Sequence, residues 1–525
     1  MQRDFLLSRL KQNPEKQWDI VVIGGGATGL GISVDAASRG YKTVLFEQSD
    51  FAKGTSSRST KLVHGGVRYL AQGDISLVLE ALHERGLLRR NAPHLVKNQA
   101  FIIPNYDWWE GPFYNIGMKV YDMMAGRLGL GPSEKISREE TMKAIPNLDE
   151  HQLNGGVIYY DGQFDDSRLA VNLAQTAVEN EAVVLNYMPI TGLLKDKKNL
   201  VCGVEVTDAE SGENHRVRSR VVINATGVFV DNILTMDDAR APALVRPSQG
   251  IHFVLDKSFL QGDSAIMIPK TSDGRVLFAV PWHGKVVVGT TDTPLETSDI
   301  HLEPRALEEE IQFILTTAAQ YLKKDPQKKD VLSVFAGLRP LAAQQDSQDM
   351  STKEISRSHR LMVSLSGLIT ITGGKWTTYR KMAEDTVNKA WMVGGLPERK
   401  CVTETMPIHG YVKNTRFDSP GYFYGSDRTA INAMIQAEPD LGLRLHPDYA
   451  YTRAQVVWAV RNEMARTVED FLSRRIRMLL LDARVSMAMA PEVASIMARE
   501  LNRDPRWIQS QVTDYQTLAK GYILN

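Results

Sequence analysis

Three glycine-interrupted stretches of this chain carry the residue types that hold phosphates and move protons. The first, Ile20-Val21-Val22-Ile23-Gly24-Gly25-Gly26-Ala27-Thr28-Gly29, is a β-branched run broken by glycines at GxGxxG spacing. Gly24 permits a tight turn, Gly26 lets the backbone approach a pyrophosphate, and Gly29 allows close packing of helix on strand. Ile32, Ala36 and Ala37 follow at helical spacing, so free N–H groups and a partial positive charge would face the phosphates. A second apolar run, Thr43-Val44-Leu45-Phe46, ends on Glu47, 18 residues beyond Gly29, where an acid accepts hydrogen bonds from an adenosine ribose. A carboxylate there repels a 2′-phosphate, which argues against NADP. The motif alone does not separate NAD from FAD.

The second stretch runs Gly54-Thr55-Ser56-Ser57-Arg58-Ser59-Thr60-Lys61-Leu62-Val63-His64-Gly65-Gly66-Val67-Arg68-Tyr69. Hydroxyls, amides and cations packed this densely suit a polar ring system and an anion, and solvated loops seldom carry His, Arg and Tyr beside a double glycine. The third, Ile369-Thr370-Ile371-Thr372-Gly373-Gly374-Lys375-Trp376-Thr377, is again a β-branched strand that stops at glycines and turns into a helix. Lys375 at the helix start would stabilise negative charge together with the helix N-terminus.

These stretches need a large framework. The 525 residues suffice for roughly two to four domains. Apolar content of 43% and charged content of 24% are ordinary for a globular chain, and 62 basic residues balance 62 acidic ones, which gives no bulk attraction for nucleic acid. Cys202 and Cys401 are too few for a cysteine-ligated iron–sulfur cluster and suggest a reducing compartment. The chain has no run of eighteen apolar residues, and its first ten residues lack the pattern of a signal peptide, so cytoplasmic residence is expected.

Along the chain, Ile75, Leu77, Val78, Leu82, Leu87 and Leu88 mark a helix; Gly156 to Tyr160 reads as a strand, Asp161 to Asp166 as a turn, and Ala182 to Leu185 as a further strand. Asp161, Asp165 and Asp166 do not form a calcium loop, because the sixth position is Asp166 and the twelfth Asn172; an N-cap at Asp165 or Asp166 fits better. No metal is expected. Cys202–Thr207 and Arg218–Asn224 alternate like a meander and run into the turn Ala225-Thr226-Gly227. Val276–Trp282 and Val286–Asp292 read as paired strands of a second, sheet-based domain. Beyond about residue 400, Val456, Val460, Met464, Val468 and Phe471 trace an apolar stripe, with Arg461, Glu463, Glu469, Asp470, Arg474 and Arg475 around it, as in a solvated helical bundle.

The run at 55–69, with the glycine turns before and after it, resembles the FAD-dependent glycerol-3-phosphate dehydrogenases over roughly residues 18–500. The resemblance implies an α/β fold: a discontinuous FAD-binding Rossmann-like domain of the glutathione-reductase/D-amino-acid-oxidase type (18–95, 150–240, 335–395), a β-sheet substrate domain (96–149, 241–334) and an α-helical C-terminal cap (400–525). It implies FAD held by Gly24, Gly26, Gly29, Glu47, Thr55, Ser56, Ser57, Lys61, His64, Gly65, Gly66, Val184, Thr226, Gly227, Gly373, Gly374, Lys375 and Thr377. It places Arg68 and Arg339 at the substrate phosphate, with Lys375 close by and Tyr69 as a further donor; arginine forks suit phosphate bidentately. The implied reaction converts sn-glycerol 3-phosphate to dihydroxyacetone phosphate and sends electrons to membrane quinone. Lys375 would then favour the anionic reduced flavin. Of eleven histidines, His252 and His64 lie in resembling segments, and one of them is expected to take the hydroxyl proton, His252 being preferred.

A quinone acceptor calls for contact with a membrane, at the inner face of the cell membrane for a cytoplasmic enzyme. The aromatic segment 101–130, with Trp108, Trp109, Phe113, Tyr114, Ile116, Met118, Val120, Tyr121, Met123 and Met124, is the candidate. Burial at a domain or subunit interface, including that of a homodimer, is its alternative. Rival functions are a glycerophosphate oxidase that uses oxygen, an amine or amino-acid oxidase, and a flavin-bearing scaffold without turnover.

Overall fold

The computed structural model describes residues 1–12, 17–67, 73–106, 110–269, 271, 276–342 and 358–524, with side chains omitted for 110–113. β-branched runs stack side by side into an eight-stranded sheet whose main path is His359–Val363, Ile369–Gly373, Asn214–Asn224, Trp18–Ile23, Thr43–Phe46, Val183–Leu185. From Ile369–Gly373 onward the neighbours are parallel. Ile20, Val21, Val22, Val44, Leu45 and Ile223 are essentially inaccessible, as expected of a parallel sheet covered on both faces. The helix Ala27–Ser38 packs on this sheet beside the helix Tyr379–Val393.

A ten-stranded sheet forms the second body. Towards one edge of it, Val245–Asp256 lies antiparallel to both Val331–Ala342 and Lys285–Gly289. Two strands depart from the expected division of the chain. Gly155–Phe164 and Val331–Ala342 both belong to this second sheet, although 150–240 and 335–395 were expected in the nucleotide-binding part. The first also runs through Asp161 to Phe164, where a turn was expected, because it pairs with Val96–Asn105 along its whole length. Asp165 then caps the helix Asp166–Glu179, accepting from the Arg168 N–H at 3.2 Å.

The C-terminal region differs from a solvated bundle. The helix Arg453–Asn462 ends before Met464, whose φ is +53°, so the apolar stripe does not lie on one helix. Glu463, Asp470 and Arg475 are fully buried and Arg474 nearly so. Their charges are matched across elements. Arg475 and Arg474 converge on Asp50, at 2.7 Å and 2.5 Å, and Arg168 meets Glu463 in a two-pronged pair at 2.9 Å and 2.8 Å. Burial raises the Asp50 carboxyl, but the two guanidinium groups outweigh it and hold the pKa well below the usual carboxylate range. No helix among the described residues is long and apolar enough to cross a membrane.

Candidate active site

The strand Trp18–Ile23 ends at Gly24, whose φ of +108° turns the chain under the neighbouring loop. A Cβ on Gly24 would stand 2.7 Å from the Ala225 carbonyl oxygen, and one on Gly29 only 1.9 Å from the Gly24 oxygen. These close approaches bring the N-terminus of the helix Ala27–Ser38 against the turn Ala225–Gly227. Ser56, from the polar loop, accepts the Ala27 N–H at 2.9 Å. Glu47 accepts from the N–H groups of Gly25 (2.6 Å) and Ser49 (2.9 Å), and burial raises its pKa against those two donors.

Together these elements wall a groove of about 250 Å³. Of the expected cofactor residues, Gly24, Gly26, Glu47, Thr55, Ser56, Thr226, Gly227, Gly373, Gly374 and Lys375 line it. Phe46, Lys53, Phe229, Asn232 and Trp376 line it too, without having been expected. Phe46, Phe229, Asn232 and Trp376 are types that carry no phosphate or proton chemistry by themselves, and Lys53 stands outside the glycine-turn motifs, so only the assembled walls reveal them.

A second chamber of about 310 Å³ lies on the other side of Thr55, Gly374, Lys375 and Trp376, which line both spaces. His64, Gly66, His252, Arg339 and Thr377 line the chamber, as do Arg58, Thr60, Asp161 and Asp292. The antiparallel register explains two of these placements. His252 pairs with Phe335, and their rings stack with centroids 5.0 Å apart. Arg339 pairs with Ser248, and Gly250 leaves room for its fork, since a Cβ there would lie 2.2 Å from the Arg339 Nη2. Arg339 donates to the Gln249 and Thr291 carbonyls at 3.0 Å and 2.7 Å and pairs with Asp292 at 3.2 Å. Its fork is thereby fixed.

His252 exchanges a hydrogen bond between Nε2 and the Thr60 hydroxyl at 2.9 Å. Burial, then the nearby cations of Arg339 and Lys61, push its pKa well below the ordinary histidine value. Burial likewise lowers His64, to about 4, with Asp161 opposing and Lys375 and Arg85 adding to the shift. Both imidazoles are therefore neutral near neutral pH and able to accept a proton.

Five expected cofactor residues stand apart from the lining of both spaces. Val184 is enclosed within the strand Val183–Leu185, and Met188 and Ile190 form the groove wall at that edge. Lys61 is buried, with its ammonium on Asp166 (2.7 Å) and the Ser57 carbonyl (2.5 Å), so it braces the polar loop from beneath. Ser57 serves the same brace. Gly65 gives its N–H to the Tyr121 hydroxyl at 2.8 Å. Gly29 acts through helix packing rather than as lining. Arg68 and Tyr69, like Trp108 and Trp109, lie outside the described residues. Among the described residues no group of three or more His, Cys, Asp or Glu could hold a metal ion.

The groove suits a flavin dinucleotide on its own geometry. It combines a glycine cradle that a side chain would fill, backbone N–H groups at a helix N-terminus, an acid at the ribose end, and Lys375 where the groove meets the chamber.

Comparison with known proteins agrees. Residues 19–380 match the family described as FAD dependent oxidoreductase, and residues 369–507 the C-terminal domain of alpha-glycerophosphate oxidase. The mitochondrial glycerol-3-phosphate dehydrogenase of Macaca fascicularis is 39% identical over 94% of this chain and 72% of its own length. That of Schizosaccharomyces pombe is 37% identical over 93% and 85%. The glycerol-3-phosphate dehydrogenase of Bacillus halodurans, solved with FAD, superposes with a TM-score of 0.76 at 28% identity, covering 99% of this chain and 97% of that one. The FAD-bound L-alpha-glycerophosphate oxidase of Mycoplasma pneumoniae shares the fold at a TM-score of 0.57 and 16% identity. With its glycine cradle, its cationic chamber and relatives that align over nearly its whole length, the chain belongs to the FAD-dependent glycerol-3-phosphate dehydrogenases of the FAD-dependent oxidoreductase family.

Proposed function

We propose that the enzyme oxidises carbon 2 of sn-glycerol 3-phosphate to dihydroxyacetone phosphate and passes the two electrons to a membrane quinone. The observation that carries this reading is the junction of groove and chamber at Lys375, a cation shared by both spaces, with the imidazoles of His64 and His252 lining the chamber beyond it. FAD, when bound, supplies the hydride acceptor.

The chain's own groups do the rest. Arg339, fixed by two carbonyls and Asp292, offers an orienting charge to the substrate phosphate, and Lys375 adds a second. We assign Arg68 and Tyr69 to the same end on the family resemblance. His252 is the proposed base. Phe335 stacks on its ring, and Nε2, in the tautomer that accepts from the Thr60 hydroxyl, takes the substrate proton through that hydroxyl, which receives it as it gives its own. His64, at the same chamber, is the alternative base.

For the acceptor, the helix Glu110–Ala125 offers an apolar outer face. Ile116, Val120 and Met123 are exposed, whereas Met118 and Tyr121 point into the core. This stripe supports peripheral docking on the inner face of the cell membrane. Flotation with lipid vesicles checks it: the wild type should rise with the lipid, and a variant carrying Ile116→Glu and Met123→Glu should stay below.

The function itself is tested by the visible spectrum. Purified protein should be yellow and should bleach on anaerobic addition of sn-glycerol 3-phosphate; a yellow protein that does not bleach overturns the assignment. The oxidase-named match at residues 369–507 keeps oxygen as the second candidate acceptor. An oxygen electrode with catalase present distinguishes the two, since an oxidase consumes oxygen without added quinone.

A further inference from the structure

We propose that Asp161 and Tyr121 are positioning residues, and that the chain Arg85–Asp161–Tyr121 holds the turn His64–Gly66 in register with the reacting atoms. The inference rests on the reading above, in which that turn borders the site of oxidation.

Asp161 lines the chamber but makes its contacts away from it. Its Oδ1 accepts from Arg85 at 2.6 Å and its Oδ2 from the Tyr121 hydroxyl at 2.9 Å. All three side chains are almost wholly buried. The Tyr121 oxygen in turn accepts the Gly65 N–H at 2.8 Å. The turn is pressed onto the phenol, since a Cβ on Gly65 would lie 2.5 Å from that oxygen. On its other side, the N–H of His64 donates to the Thr377 hydroxyl at 3.2 Å. Thr377 follows Lys375 by two residues. The turn is thus stitched between the lysine segment and the phenol, and Gly66 completes it at a φ of +82°.

The direction of each hydrogen bond matters. An ionised carboxylate only accepts, so Asp161 draws the phenol hydrogen to itself and leaves a phenol lone pair facing Gly65. Burial, reinforced by Asp161, raises Tyr121 well above its usual pKa, so the hydrogen stays on the phenol. An asparagine at 161 would have one carbonyl oxygen, which the Arg85 N–H takes. Its NH₂ would then face Tyr121, leaving the phenol hydrogen with donors on both sides.

Two variants test the inference by anaerobic bleaching with sn-glycerol 3-phosphate. In Tyr121→Phe, which keeps the ring and its packing, the bleaching rate should fall about tenfold while FAD content stays as in the wild type, because a loosened turn misplaces reacting groups. The loss should appear in kcat far more than in KM, and the visible band of the flavin should change shape. Asp161→Asn should lose at least as much. If that variant does not fold, with Arg85 left without its counter-ion, Tyr121→Phe decides alone. A Tyr121→Phe enzyme that bleaches at the wild-type rate with an unaltered spectrum overturns the proposal. So does one whose activity falls only in step with lost FAD or a lowered Tm. If the wild type itself were yellow but did not bleach, the functional reading would fall. The spectrum of Tyr121→Phe would then still decide whether the phenol sets the turn.

Discussion

His252 and His64 show how burial sets the chemistry of single residues. Both rings are held neutral, so the protein need not remove a proton from its base before turnover. At saturating substrate, the bleaching rate should stay level as pH falls from neutral through the ordinary histidine pKa of about 6.5, because both imidazoles are held below it. Stopped-flow measurements across that range check this, and a fall centred on the ordinary histidine pKa would show that burial does not govern the base. His252→Ala should slow bleaching at least a hundredfold, within the range of a lost general base, and His64→Ala should slow it less. The opposite ranking would transfer the role to His64.

At the scale of elements, the glycine turns carry the sharpest prediction. Gly29→Ala places a methyl carbon 1.9 Å from the Gly24 oxygen, so helix and strand must separate. That variant should be recovered colourless or insoluble. Gly117→Ala, in the helix Glu110–Ala125 with nothing near the added carbon, should stay yellow and gain up to about 1 kcal/mol. Absorbance at the flavin band against that of protein reads both.

These elements were also the most legible in the sequence, because a β-branched run ending on glycines has few other local solutions. The strands Trp18–Ile23 and Ile369–Gly373 and the helix Ile75–Asn91 follow directly from their patterns. Asp161 to Phe164 did not, because acidic and glycine residues mimic a turn while pairing with a distant strand keeps them extended. The charged C-terminal residues misled for a related reason. A sequence shows that Arg474 and Arg475 are charged, but not that Asp50, more than four hundred residues earlier, awaits them. Phe229, Asn232 and Trp376 in the groove were invisible in the same way.

Across the whole molecule, buried histidines should give stability a two-sided pH dependence. His94 is fully buried and its pKa is lowered to about 4, chiefly by burial. Unfolding lets it bind a proton at its ordinary value, so its contribution is complete above about pH 6.5 and is lost as pH falls towards 4. The loss is on the order of 3 kcal/mol. His409 works in the other direction. Burial lowers its pKa, but Asp427 at 2.9 Å and Glu179 at 2.5 Å raise it to about 9. Its contribution is complete below about 6.5 and is lost as pH rises through 9. Tm against pH should thus peak near pH 6.5 and fall on both sides. His94→Gln should make the acid flank shallower without removing it, since His64 and His252 share the depression, and His409→Gln should flatten the alkaline one.

The partition between the two spaces joins segments far apart in the chain: Trp376 donates its indole N–H to the Ser56 carbonyl at 2.8 Å, 320 residues away in sequence. A ribosome must therefore release most of the polypeptide before the nucleotide finds a complete berth. Fragments that stop short of Trp376 should emerge without colour, however well their first βαβ unit folds.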